Sequence, residues 1–413
     1  MVPRARHQRP VNVLYVENDS GTVGGSTRCL YHLIRALDRD LYRPFVTFAR
    51  GSESPIIADF ERLSCRVIRF GELVDRGARP EKGHGPMTRM SQQVVPYSLR
   101  AAFYRLRKAL ITDLGRAREL SSIIRSHRID LVHANDRVGS NGYAVWAAVM
   151  CGVPVIVSER LIYRLGFIDK VTSVLADQVV CMSDSVFTRF LPQAWTRNVN
   201  IVYDGVDIPV PRHHPRDGRR LPRPLRVAVV GRLEEWKGQD VFVRAAAILH
   251  SSYPEVTFAI VGNPSSGDGA RFAERLRELV HELGLDDTIR FTGHIEEIET
   301  YIAEEVDILV HTSITPEPFG RVITEGMALA KPVIASDAGG GREIIDNGVT
   351  GLLAEPGNPE SLAAAIGSLV QDADLAARLA DNGRRWVEEQ FSMRSTASGM
   401  AAVYHDVLRR RGL

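Results

Sequence analysis

Apolar residues in the first half of the chain alternate between short continuous runs and runs with helical spacing. Val11–Val16 form an apolar run of strand length. The helical spacing i, i+3, i+4, i+7 follows at once in Leu30, Leu33, Ile34 and Leu37. Further strands are predicted at 130–133, 153–157, 178–182 and 200–202. Repeated strand and helix units of this kind predict a doubly wound parallel sheet of the α/β class.

A stretch rich in proline and arginine interrupts this pattern. Residues 208–224 read IPVPRHHPRDGRRLPRP and show no periodicity, which indicates an exposed linker. A second series follows, with strands predicted at 225–230, 256–261, 289–291 and 307–310 and helices between them. Two Rossmann-like domains are therefore predicted, with a linker between them and a final helical segment expected to pack back on the first domain. The predicted boundaries are 1–208, 209–224, 225–385 and 386–413.

Composition narrows the class of protein. A length of 413 residues suits two domains, and 44% hydrophobic with 25% charged residues is ordinary for a globular protein. No apolar run approaches the roughly 20 residues of a membrane helix, and the start offers too little for a signal peptide. Four scattered cysteines and a net charge of +2 suggest neither a metal centre nor a nucleic-acid partner. A cytoplasmic location is expected.

Two acidic residues eight positions apart carry the strongest chemical signal. Glu317 lies in a proline-bounded loop, and Glu325 lies inside the helix that the loop precedes. Backbone N–H groups near Gly320 and Arg321 open this helix, and such an N-terminus favours a diphosphate. Glu325 is placed to accept both hydroxyls of a ribose. The alternative, a surface helix with two solvated acids, leaves the glycine cluster at 339–341 unexplained.

A second candidate site contains a glycine followed by two cationic residues. Gly231, Arg232 and Lys237 follow an apolar strand directly, so both cations are expected at the carboxyl end of that strand. Lysine is rare in this chain, with five residues in all, which makes one at this position noteworthy. A solvated charged loop is the alternative.

The block from 317 to 357 resembles the donor-binding core of the family 4 retaining glycosyltransferases, including their Glu-x7-Glu motif. The resemblance covers essentially the whole chain and is strongest over 225–391. It implies the GT-B fold, with two facing Rossmann-like domains, the donor held mainly by the C-terminal one and the acceptor mainly by the N-terminal one. It also implies transfer from a nucleoside-diphosphate sugar with retention of configuration, without a metal or a cofactor.

Individual roles follow from the same resemblance. Arg232 and Lys237 match the cations that hold the donor's pyrophosphate and stabilise the departing nucleotide, while Glu317 lies by the transferred sugar. His133 ends a predicted strand, and it matches a histidine near the sugar hydroxyls, so it is expected to project into the crevice; a structural role is the alternative. The expected catalytic set is His133, Glu317, Arg232 and Lys237. The expected donor-binding set is Gly24, Gly25, Gly231, Phe319, Gly320, Arg321 and Glu325.

The expected activity is transfer of a hexose-type sugar to a saccharide or lipid-linked saccharide, in synthesis of bacterial cell-surface polysaccharide or glycolipid. A nucleotide-sugar epimerase and a catalytically silent sugar-nucleotide-binding subunit are the alternatives. The stretch 97–128 mixes apolar residues with many arginines. It indicates either an amphipathic surface for an anionic membrane, which would make the enzyme peripheral on the inner face, or a core-packed helix with a solvated face.

Overall fold

The computed structural model describes residues 9–17, 25–72, 113–209, 224–264 and 267–413. Predictions for Gly24, for most of the linker and for the basic positions between 97 and 112 lie outside these ranges. Among the described residues, the strands are β1 (Val11–Val16), β2 (Tyr42–Arg50), β3 (Arg66–Glu72), β4 (Leu131–Ala134), β5 (Val155–Glu159), β6 (Gln178–Cys181), β7 (Val199–Ile201), β8 (Arg226–Val230), β9 (Thr257–Val261), β10 (Ile289–Gly293), β11 (Ile308–His311), β12 (Val333–Ser336) and β13 (Leu352–Ala354).

Helices alternate with most of these strands. In the described ranges they are α1 (Gly25–Ala36), α2 (Ile56–Arg62), α3 (Leu114–Ser126), α4 (Gly142–Cys151), α5 (Phe167–Leu175), α6 (Asp184–Phe190), α7 (Gln239–His250), α8 (Asp268–Glu282), α9 (Ile298–Glu305), α10 (Arg321–Ala328), α11 (Gly340–Ile344), α12 (Pro359–Gln371), α13 (Ala373–Gln390) and α14 (Met393–Arg410). A 3-10 turn, Glu235–Lys237, precedes α7.

The chain divides into two compact units. Unit 1 comprises Met1–Met182, Val186–Val202 and Ala397–Leu413, and unit 2 comprises Ser183–Ser185 and Tyr203–Thr396. The predicted boundaries differ from this division, because 203–208 and 386–396 both belong to unit 2. Backbone hydrogen bonds explain the difference: Val206 donates to Phe391 and Met393 donates to Val206. These bonds hold the two segments together.

Unit 1 contains a parallel sheet with the strand order β3-β2-β1-β4-β5-β6-β7. The strand β1 lies between β2 and β4 and is buried from residue 12 onward, as a continuous apolar run predicts. The predicted face of α1 is confirmed, since Leu30, Leu33 and Ile34 are buried. The strands β2 and β3 are added on one side of β1, and β4 to β7 are added on the other side, so the strand order switches between β1 and β4. Open α/β sheets bind their ligands outside the strand ends at such a point.

Unit 2 repeats this arrangement with the order β10-β9-β8-β11-β12-β13, again with parallel pairs. Its switch point therefore lies between β8 and β11. The predicted strands and the helices around 241–250 and Leu276 are confirmed to within a few residues. The final helical segment differs from the prediction: α13 begins at Ala373, and the helix breaks at 391–392 before α14 starts.

The basic stretch is described only from residue 113 onward. There α3 packs Ala117, Leu120 and Ile124 into the core of unit 1. Arg116 lies over the ring of Tyr143 at 5.6 Å. This part of the stretch is therefore a core-packed helix, and attraction to a membrane by 97–112 stays a prediction.

Candidate active site

The predicted donor residues of unit 2 follow the two strands at its switch point. Gly231 and Arg232 come directly after β8, and the 3-10 turn that ends at Lys237 follows them. The loop that contains Glu317 comes between β11 and α10. Because β8 and β11 are neighbouring parallel strands, both loops leave the same edge of the sheet.

Lys237 and Glu317 form an ion pair at this edge. Lys237 Nζ lies 2.6 Å from Glu317 Oε1, and both side chains are largely buried, with 14% and 16% of their surface exposed. The ammonium also lies 4.4 Å from the centre of the Trp236 ring. The structure thus brings together two residues that are 80 positions apart in the chain. Since an ammonium has three N–H donors, the pair leaves Lys237 with capacity for a further acceptor.

The second carboxylate oxygen of Glu317 has two partners that the sequence analysis missed. His311 Nε2 lies 2.6 Å from Oε2, and the Ser313 hydroxyl donates to Oε2 at 3.0 Å. Burial by itself would raise the pKa of Glu317. The hydrogen bond from His311 and the nearby Lys237 ammonium oppose burial and hold this pKa well below its usual range. Glu317 is therefore an anion at neutral pH.

The Glu317 loop is held by close contact with the glycine cluster at 339–341. The Gly340 N–H donates to the Glu317 carbonyl at 3.0 Å. A Cβ added at Gly340 would overlap the Phe319 carbonyl oxygen, and one added at Gly339 would overlap the Glu317 backbone. These glycines allow the approach of two backbones, which explains the cluster that the sequence analysis singled out.

Phe319 was predicted to bind the donor, and the structure places its ring in packing. The ring is 2% exposed and lies 5.7 Å from Phe391 and 6.2 Å from Tyr203, centre to centre. Burying a side chain of this kind contributes about 1.5–3 kcal/mol. Its side chain anchors the loop, so any contact of this residue with a donor would come from its backbone.

Gly320 and the first turn of α10 complete the loop. Gly320 has φ +93°, a left-handed conformation that favours glycine, and it is the residue from which α10 starts. Arg321 and Glu325 then lie one helical turn apart, and their side chains form an ion pair of 3.0 Å. Both belong to the predicted donor set, and Glu325 remains 16% exposed.

Arg232 is the most exposed of the predicted cations. Its guanidinium lies 3.0 Å from Glu234 and is 65% exposed, so it is available to a ligand in solution. Gly231 donates its N–H to Val261 at 2.9 Å, at the end of the neighbouring strand. Arg232 and Glu317 both belong to the expected catalytic set; in the structure Arg232 pairs with Glu234, and Glu317 pairs with Lys237.

His133 lies in unit 1 and differs from its predicted placement. It was expected to project into a crevice, but its side chain is fully buried in β4. Its Nδ1 lies 2.7 Å from the Tyr404 hydroxyl of α14, and its Nε2 lies 2.7 Å from the Ser158 hydroxyl. Burial lowers the pKa of His133 to about 3, so the ring is neutral at pH 7. These contacts join three elements of unit 1, and a catalytic role of His133 stays a prediction.

Other polar side chains lie at the carboxyl ends of the strands in unit 1. Glu17 follows β1, and its carboxylate accepts from Asn135 at 2.5 Å, while Arg160 donates to Asn135 at 3.0 Å. Burial raises the pKa of Glu17 to about 6. Gly25 opens α1 beside this cluster, and a Cβ added there would meet nothing within 4 Å.

No three or more His, Cys, Asp or Glu side chains within the described ranges could together hold a metal ion. The helices described for this chain include none with the length and apolar character needed to cross a membrane.

Comparison with known proteins identifies the class. Residues 214–386 match the family of glycosyl transferases group 1, and residues 24–197 match the glycosyl transferase 4-like domain. The chain is 31% identical over 316 residues to a D-inositol 3-phosphate glycosyltransferase of Stackebrandtia nassauensis, a match covering 69% of this chain and 70% of that protein. The chain belongs to the group 1 glycosyltransferases.

Other relatives of this glycosyltransferase differ in their named substrates. A lipopolysaccharide core biosynthesis mannosyltransferase, LpcC of Rhizobium leguminosarum bv. viciae, is 33% identical over 213 residues, or 50% of this chain and 60% of that protein. The structure of Anabaena HepE in complex with UDP-glucose matches with a TM-score of 0.72 and 24% identity, covering 96% of this chain and 99% of that chain. This likeness shows that the glycosyltransferase has the GT-B fold, as predicted.

Proposed function

We propose that this glycosyltransferase binds a nucleoside-diphosphate sugar in unit 2 and transfers its sugar to an acceptor hydroxyl with retention of configuration. The observation that carries the proposal is the Lys237–Glu317 pair at the switch point of the sheet in unit 2. An anion that can orient sugar hydroxyls lies there beside a cation that can bind a phosphate. The presence of UDP-glucose in HepE supports the same class of donor.

The diphosphate is the group on which negative charge grows as the sugar leaves. Lys237 has N–H donors beyond the one that Glu317 accepts, and Arg232 is largely exposed. Together with the backbone N–H groups at the start of α10, these cations stabilise the departing nucleotide. They serve in place of a metal ion in the proposed reaction, so transfer proceeds without added metal.

Glu317 orients the transferred sugar in this proposal. Reaction at the anomeric carbon develops positive charge on the sugar ring, and a fixed carboxylate nearby is favourable for that charge. We assign Glu317 this electrostatic and positioning role and no covalent one. Glu325 accepts the ribose hydroxyls, which requires that it share its carboxylate between the ribose and Arg321.

The names of two relatives support a class of acceptor. One is named for D-inositol 3-phosphate and another for lipopolysaccharide core synthesis. We propose a saccharide or lipid-linked saccharide acceptor, a hexose-type donor sugar and a role in cell-surface polysaccharide or glycolipid synthesis. An enzyme that works on a lipid-linked acceptor would meet it at the inner face of the membrane.

Thermal unfolding with a panel of nucleotide sugars tests the donor assignment. A true donor at 100 times its dissociation constant stabilises the fold by roughly 2.7 kcal/mol, and related nucleotides by less.

The donor that stabilises most should then be consumed with an acceptor mixture, and excess EDTA should leave most of that activity. Complete loss restored by manganese or magnesium would contradict metal independence. Conversion of the donor without any acceptor would favour the epimerase, and binding without turnover would favour the silent subunit.

Replacing Glu325 by glutamine tests the ribose contact. Glu325→Gln is expected to weaken binding of the donor and of the free nucleoside diphosphate alike by about 1 kcal/mol, or roughly fivefold, because a charged acceptor exceeds a neutral one. Isothermal calorimetry with the diphosphate measures this change. Asp268→Asn is the control, since Asp268 also pairs with an arginine of its own helix in unit 2. Equal affinities of Glu325→Gln and wild type would place the ribose elsewhere.

A further inference from the structure

His311 ends β11 and is nearly completely buried, with 4% of its side chain exposed. Its Nε2 lies 2.6 Å from Glu317 Oε2. The resemblance that assigned Glu317 gave this histidine no role. Its burial against a carboxylate that the proposed function uses for the sugar raises the question of what the ring contributes there.

The protonation of the ring follows from its partner. A carboxylate with a lowered pKa accepts hydrogen bonds and cannot donate one, so His311 Nε2 must bear the proton. The Ser313 hydroxyl donates to the same Oε2 at 3.0 Å and lies 3.1 Å from Nε2. On the other side of the ring, Nδ1 is buried without a hydrogen-bond partner among the described residues. The polar contacts of the imidazole are thus made on the side of Glu317.

Within the described ranges, few other groups act on this carboxylate. Lys237, from the turn after β8, pairs with Oε1. From α11, Gly340 meets the loop through backbone atoms, while Arg342 pairs with Asp337. In α10, Arg321 pairs with Glu325. His311 and Ser313 therefore hold one oxygen of Glu317, and Lys237 holds the other.

We propose that His311 is a positioning residue for sugar transfer: its Nε2–H keeps Glu317 ionised and fixes Oε2, so that Oε1 and Lys237 stay directed to the ligand. This assignment depends on the proposed function of Glu317. Without the His311 donor, burial would act on Glu317 with less opposition, and the carboxylate would gain a proton at a higher pH and rotate more freely.

Three substitutions of His311 distinguish the effect of its Nε2–H hydrogen-bond donor from the effect of the size of its ring. A glutamine amide nitrogen reaches the position of Nε2, an asparagine amide nitrogen reaches that of Nδ1, and leucine has no donor. The ratio of the kcat of His311→Leu to that of wild type is expected to fall about tenfold between pH 8 and pH 5.5, which requires that Glu317 in the variant is ionised at pH 8 and only about one-tenth ionised at pH 5.5. His311→Asn should behave as His311→Leu does. His311→Gln should keep a profile like that of wild type, with KM little changed in all three.

The result that overturns the proposal is a kcat ratio that stays constant with pH in His311→Leu, or a failure of His311→Gln to restore the profile. If His311→Leu does not fold, His311→Gln and His311→Asn still compare a side chain with and without a donor at the position of Nε2. Equal pH profiles of these two variants would overturn the proposal.

A measurement without turnover separates this inference from the proposed function. Thermal unfolding of wild type, His311→Leu, Glu317→Gln and the double variant at pH 7 gives the coupling between the two residues. His311→Leu should lower Tm more in the wild-type background than beside Glu317→Gln, because a hydrogen bond to a charged group is the stronger one. Coupling without transferase activity would defeat the proposed function alone. Equal changes in Tm in an active enzyme would defeat the role of His311 alone.

Discussion

Lys237→Ala is expected to reduce kcat by on the order of 100-fold or more, because it removes a donor where negative charge develops in the transition state. The same change leaves Oε1 of the largely buried Glu317 without the cation that pairs with it at 2.6 Å. Loss of the cation and loss of the fixed carboxylate act together. Initial rates with the donor found by thermal unfolding measure the change.

Arg232→Ala is the companion variant, and it is also expected to reduce kcat. Arg271→Ala is its matched control, because Arg271 is 68% exposed, lies in unit 2 and also pairs with a nearby acid. Arg271→Ala should leave turnover and stability near those of wild type. Wild-type rates in both Lys237→Ala and Arg232→Ala would remove the two cations from the mechanism.

Gly340→Ala is expected to lower stability and activity together. The new Cβ would overlap the Phe319 carbonyl oxygen, which is a backbone atom, so the whole Glu317 loop would have to move. Overpacking of this kind costs about 1–3 kcal/mol and occasionally more. Calorimetry should show a fall in Tm of roughly 2–4 °C for each kcal/mol in a domain of this size, and assays should show a large loss of kcat.

Gly25→Ala gives the contrasting result. A Cβ at Gly25 would meet nothing within 4 Å, and alanine favours a helix over glycine by about 1 kcal/mol, so Tm should not fall. If Gly25 lies against a ligand as predicted, activity should still drop. Gly115→Ala, in α3 and equally unobstructed, should not lower Tm either and should leave activity unchanged. Full activity of Gly25→Ala would take this glycine out of the predicted donor set.

The periodic spacing of apolar residues was sufficient to predict individual strands and helices. The apolar run at Val11–Val16 and the helical repeat from Leu30 to Leu37 correspond to β1 and α1 within a few residues. Such patterns predict well because a strand or helix buried against a sheet must carry apolar residues at its own period. The end of the chain was harder to predict, because a helix boundary such as the break at 391–392 depends on contacts with Val206, which is remote in sequence.

His133 and His311 show where a sequence pattern misleads. His133 lies one residue before the end of β4 and His311 ends β11, so position alone does not separate a structural from a chemical role for either. The partners decided the difference: hydroxyls of Tyr404 and Ser158 surround His133, whereas His311 meets Glu317. The partners of His133 cannot be inferred from spacing, since Tyr404 is 271 positions from His133.

By itself, the sequence determined the fold class, the two-domain order and the loops in which the candidate chemistry lies, because strand and helix periods and the Glu-x7-Glu spacing are local properties. Only the tertiary structure decided which side chains meet. It paired Lys237 with Glu317, put His311 and Ser313 on the other oxygen, and placed the Phe319 ring in packing. The reason is physical: the pKa and orientation of a carboxylate depend on burial and on donors within a few ångströms. Neighbouring parallel strands bring Lys237, 80 positions away, to the loop that carries Glu317.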